Sequence, residues 1–258
     1  MSIADLAFPE VDFGKPALKT VVCELRFNPL LIISRDTPVA FQEVVRASYP
    51  KVAAERGAFM EVRVTAPGAQ NLGEISNLQQ MQPEGLVWRF RTDDDAWVAS
   101  LGIGLMSLET TAYTHFQDFW SRFRTLLEAL KSVYAVESFV RIGLRYVNVF
   151  GGEDFPGGWR GRFNPRLLGP LTEDAFADSV KATAGVIGFS EDGWTLTLRH
   201  GTDQVGGYRI DLDHATTSNV AGNDVEPLIR AFNGRVYQVF RWTLSDSMYE
   251  EMEPHLRA

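Results

Sequence analysis

The run RIGLRYVNVF, residues 141–150, carries arginines at alternate positions of an otherwise apolar stretch. Alternate side chains of a strand share a face. Val140, Ile142, Leu144 and Tyr146 then point one way, and Arg141, Gly143 and Arg145 the other. Arg26 takes the matching place in an earlier strand, beside Glu24 and Asn28. Guanidinium groups gathered on a helix-free sheet face would make a polar floor, able to grip a carboxylate or phosphate through paired N–H donors. The competing reading pairs these arginines with Glu24 or other nearby acids, and structural ion pairs are the commoner arrangement. Asn148, further along the strand, completes this candidate binding set.

Four other groups are to be weighed for chemistry. The loop segment GGWRGRFNP holds Trp159, Arg160, Arg162 and Phe163. Exposed Trp and Arg are typical interface anchors, though the same residues could fold back over the sheet. YRIDLDH brings Asp211, Asp213 and His214 together, with His200 and Asp203 across a hairpin. Asp and His are metal ligands, yet HExxH, CxxC and Glu-x-x-His are all missing. Thr195, Thr197 and Arg199 would serve the aspartates as ordinary cross-strand partners. Cys23 sits on an apolar face with Val21 and Leu25, where thiols are usually inert. Gly102 and Gly104 make a GxG with no third glycine and no helix start, so a dinucleotide loop is not supported. No catalytic set, metal or cofactor is therefore assigned. Tyr146, Asp211, Asp213 and His214 are the first residues to suspect should the chain be an enzyme.

The elements that must position these groups follow from periodicity. TVVCELRFNP alternates as a half-buried strand, and Thr37-Pro38 reads as N-cap and first turn of a helix that Pro50 stops. FMEVRV (59–64) reads as a strand, GLVWRFR and AWVASLGIGLMSLET as a hairpin around Thr92–Asp95. Across that hairpin Trp88 and Phe90 share a face with Trp97 and Ala99, and Arg89 and Arg91 oppose them. The strongest helix is THFQDFWSRFRTLLEALKSVY, with Thr114 and Gln117 as capping box and an apolar stripe from Phe116 to Tyr134. Residues 151–171 are rich in Gly and Pro and read as a long mobile loop. A short helix from Thr172, the strands TAGVIGF, WTLTLRH and YRIDLDHATT, and a helix capped by Asp224 complete the chain. Residues 245–252 add a further turn.

This order predicts an α+β fold of antiparallel sheets, each packed on a long helix, with β-α-β-β-β-α occurring twice. ELRFNPL and GLRYVNV begin the two halves alike, so a tandem pseudo-duplication is one reading. The expected organisation is an irregular arm at 1–19, a first half at 20–137 and a second at 138–258, forming one compact unit.

The segments CELRFNP, FQEVVRASYP, the helix after TTAYTHF and above all RIGLRYVN resemble a sporadically distributed bacterial family of about 250 residues, known as hypothetical proteins. The resemblance spans most of the chain. It implies no activity and no site residues, and residues 151–171 and the tail after Glu253 lie outside it.

Composition bounds the function. The 258 residues are 45% hydrophobic, enough for a substantial core, and the net charge of −8 disfavours general nucleic-acid binding. No apolar run is long enough for a membrane span or secretory core, and a single cysteine fits a reducing cytoplasm. The favoured expectation is a non-catalytic binding or accessory protein, holding an acidic or extended, peptide-like partner on the Arg-bearing face. An enzyme or small-ligand protein with a pocket between the halves, and an RNA-binding module, are the alternatives.

Overall fold

The computed structural model describes Ile3 and residues 6–57, 85–156, 159–168, 182–191, 193–202 and 207–256. The expected strand at 59–64, the short helix from Thr172 and Asp203 lie outside them.

Among the described residues, nine strands form a single antiparallel sheet. In chain order they are β2 (Leu18–Arg26), β3 (Lys51–Gly57), β4 (Gly85–Arg91), β5 (Trp97–Gly102), β6 (Leu105–Thr110), β8 (Arg141–Phe150), β9 (Ala184–Glu191), β10 (Trp194–Thr202) and β11 (Tyr208–Thr216). Across the sheet the order is β3-β4-β5-β6-β2-β8-β11-β10-β9. The fold is thus α+β and antiparallel, but one sheet replaces the expected pair. The reason is the pairing of β2 with β8, which sets Cys23 opposite Leu144, Leu25 opposite Ile142 and Arg26 opposite Arg141. Two short pairs lie apart from this sheet. β1 (Val11–Phe13) joins β13 (Pro254–Leu256), and β7 (Ser138–Phe139) joins β12 (Val220–Ala221). The N-terminal arm therefore contains a strand anchored to the far end of the chain.

One face of the sheet is the core. Val21, Cys23, Leu25, Ile142, Leu144, Ile210 and Leu212 are fully buried there. The helices among the described residues are α1 (Leu31–Arg35), α2 (Val39–Val45), α3 (Phe116–Tyr134), α4 (Pro165–Leu168), α5 (Val225–Thr243) and α6 (Asp246–Glu251). Their aromatic rings reach the same core-side residues: Phe41 meets Phe90, Phe119 meets Trp97, and Phe232 stacks on His214 at 3.7 Å. Phe240 stacks on Phe150. The apolar stripes of α3 and α5 are buried as their spacing predicts, from Phe116 to Leu130 and from Val225 to Phe240.

Helix starts differ in detail. The N-cap of α2 is Pro38 rather than Thr37, with no side-chain cap. The N-cap of α3 is His115, whose Nδ1 accepts the Asp118 amide proton at 3.2 Å. That displaces the predicted capping box by one residue and needs an unprotonated Nδ1. The long strand read through residues 96–110 is two strands, because Gly104 turns against the Phe27 backbone. A Cβ there would lie 3.0 Å from the Phe27 carbonyl oxygen, and the Phe27 amide donates to the Gly104 carbonyl.

Candidate functional site

Opposite the core face, the strands display charge. Arg26 and Arg141 are direct cross-strand partners, and Arg145 follows four residues along β8 on the same side. The three expected guanidinium groups thus project from one face. They are 25%, 30% and 18% exposed, and each is engaged by a carboxylate.

The engagement explains why glycine separates the two arginines. Glu24 lies across from Gly143, and the Arg141 side chain folds back over that glycine. A Cβ at position 143 would stand 2.7 Å from Arg141 Nη1. In that space Arg141 Nη1 donates to Glu24 Oε1 at 3.1 Å, and Arg26 Nε donates to the same oxygen. Arg141 Nη2 lies 3.6 Å from Asp213 on β11. Arg145 makes a fork on Asp211, with Nε to Oδ1 at 2.8 Å and Nη2 to Oδ2 at 2.6 Å. The Asp211 side chain is fully buried, and a carboxylate without water there requires such a partner. On the far half, Arg89 and Arg91 of β4 converge on Glu55 of β3.

Arg199 on β10 sits opposite Asp211, and Arg209 on β11 sits opposite Val149. Among the described residues, seven arginines therefore share this face with five carboxylates, Glu24, Glu55, Glu109, Asp211 and Asp213. Positive charge predominates on a sheet face of a chain whose net charge is −8. Between the charged groups the floor is small or apolar: Ser100, Ser107 and Val147 are buried.

The remaining predicted residues fall elsewhere. Asn148 is on the core side of β8, 5% exposed, its amide 3.5 Å from the Ile210 carbonyl. Trp159 is folded back and buried against Tyr208, and Arg160 lies over the Trp159 ring. Arg162 pairs with Glu251 at the C-terminal end. The described part of the 151–171 loop is packed, with Phe155 and Phe163 at 2% and 1% exposure.

Asp211 and Asp213 do point the same way, but His214 points the other. Its ring is sandwiched in the core between Trp194 and Phe232. Neither ring nitrogen closes a hydrogen bond of good geometry, and burial pulls its pKa down to about 3. The three cannot meet at one metal ion. Among the described residues no group of three or more His, Cys, Asp or Glu side chains is placed to hold one. His200, also on the core side, bonds through Nδ1 to the Tyr208 hydroxyl at 2.7 Å, and burial lowers its pKa to about 4. Cys23 is wholly buried, which pushes its thiol well above the ordinary range. Tyr146 gives its hydroxyl to Asn233 on α5 at 2.7 Å.

The sequence pattern alone does not single out Arg209, and it gives Arg199 only as a partner for the aspartates. The signal was available: pairing WTLTLRH with YRIDLDH about their turn puts both arginines in the same layer as the aspartates. No protein-family model matches the chain, and no curated protein sequence is significantly similar to it. No helix among the described residues is long and apolar enough to cross a membrane.

Proposed function

We propose that this chain is a non-catalytic binding or accessory protein whose Arg-bearing sheet face holds an acidic, extended, peptide-like partner. The observation that carries the reading is the excess of guanidinium over carboxylate on that face, set against the overall negative charge. Opposite-sign complementarity of this kind steers and orients a partner. The reading takes both long helices to back the sheet from the core side, leaving the arginine side for the partner.

It also takes the two halves to be a tandem pseudo-duplication. The run β2-β6-β5-β4 outward from the centre parallels β8-β11-β10-β9, and each run is followed in the chain by a long helix. Membership of the bacterial family of hypothetical proteins and a cytoplasmic home belong to the same proposal. The test is fluorescence anisotropy with a labelled oligoglutamate peptide, an oligolysine peptide as control, across a salt series. Saturable, salt-sensitive binding of the acidic peptide alone is expected. Failure of the acidic peptide to bind, or equal binding of both, refutes the reading.

A further inference from the structure

We infer that Arg199 and Arg209 form the subsite of this face that takes an oxyanion group, a carboxylate or a phosphate. The inference rests on the binding role proposed above and moves its centre away from Arg26, Arg141 and Arg145. Those three are committed internally. Glu24 is shared by Arg26 and Arg141, and Asp211 is clasped by Arg145. On β8, β10 and β11 the face then holds Arg141, Arg145, Arg199 and Arg209 against Asp211 and Asp213 alone. Two guanidinium charges are left over.

The leftover charge has an address. Asp211, across the ladder from Arg199, is held by Arg145, and Asp213 lies 3.8 Å from Arg199, too far for a hydrogen bond, and is shared with Arg141 at 3.6 Å. Arg199 Nη1 and Arg209 Nε are both removed from water and find no hydrogen-bond acceptor among the described residues. A donor in that condition forfeits hydration and gains nothing in return, so each guanidinium would turn toward an incoming oxyanion. The two are within one ligand's reach. Arg199 is paired with Asp211, and Arg209 lies two positions from Asp211 on the same strand face. Diagonal neighbours of this kind stand about 7–8 Å apart, somewhat less at Cβ, with both side chains long enough to converge. The approach is open as well. Val186, beside Arg199 on β9, is 67% exposed, and Gly188 has free space above its Cα.

The test uses inorganic phosphate and the full chain, by isothermal titration at constant ionic strength. Saturable binding at one site is expected. Arg199→Gln/Arg209→Gln should weaken it at least about tenfold, the loss of charge-assisted hydrogen bonds. Arg46→Gln/Arg124→Gln, which removes the same charge from exposed helical positions, should leave it within about twofold. The milder Arg199→Lys/Arg209→Lys pair, which keeps the charge and loses the planar fork, should fall between the two. Absence of saturable phosphate binding, or equal weakening in the Arg46/Arg124 control, overturns the inference. The oligoglutamate probe separates the two claims. Peptide held as tightly by the Arg199/Arg209 variant as by the parent defeats the subsite alone. Phosphate bound with no peptide binding defeats the partner reading alone.

Discussion

Replacing Arg145 by Met would strip the buried Asp211 carboxylate of both its short hydrogen bonds while nearly keeping the side-chain volume. Asp211 is fully buried and Arg145 only 18% exposed, so solvent screens the pair little. Removing one partner of such a pair typically costs about 3–5 kcal/mol, because a desolvated charge is left alone. Arg199, directly across the ladder from Asp211, offers some relief, so the lower half of that range is expected. For a chain of this length that corresponds to a fall in Tm of roughly 6–16 °C. The informative control is the double variant Arg145→Met/Asp211→Leu. It removes both charges, and replacing a whole buried pair by apolar groups is often neutral. Urea unfolding followed by circular dichroism gives all three stabilities. A single variant within about 1 kcal/mol of the parent, or a double variant no more stable than the single, would refute the account of Asp211 as a charge that needs its fork.

Other outcomes follow from the same geometry. Gly143→Ala should cost about 1–2 kcal/mol in urea unfolding by evicting Arg141 from Glu24, and the cost should shrink when Arg141 is already Ala. His214 and His200 stay neutral when folded, with pKa values of about 3 and about 4 against an ordinary 6.5. Their contribution is therefore whole above pH 6.5 and is lost as acid is added toward pH 4 and then 3, because the unfolded chain binds those protons first. Stability measured against pH should flatten over that window in His214→Phe. Gly185→Ala should destabilise by more than about 2 kcal/mol, since its methyl would stand 2.3 Å from His200 Nε2. Thermal unfolding checks it, and Tyr208→Phe should soften the effect if His200 is then free to turn.

Much of this could be read from the chain, and the parts that could not have physical reasons. Period-2 alternation put Arg89 and Arg91 opposite Trp88 and Phe90, as the register of β4 on β5 has them. The same alternation put Thr197 and Arg199 beside Asp213 and Asp211. Periods of three and four marked the buried stripes of α3 and α5. The union of the halves into one sheet had no local signal, since the β2–β8 contact joins residues 117 positions apart. Lys51–Gly57 alternates too weakly to announce a strand beyond Pro50. His214 was legible and was misjoined: neighbours in a strand face opposite ways, so it could never side with Asp213. Gly and Pro content identified the 151–171 loop but is silent about packing, which Phe155, Trp159 and Phe163 decide.

The central seam between β2 and β8 sets a timetable for birth on the ribosome. The outer edge of β2 acquires its neighbour only after more than a hundred further residues have emerged, roughly 6–25 s at ordinary translation speeds. Through that interval the nascent first half carries an unclosed row of amides and carbonyls ending in Glu24 and Arg26. Their charges discourage premature docking to a neighbouring nascent chain, so the ion pair at the heart of the finished sheet also guards the unfinished one.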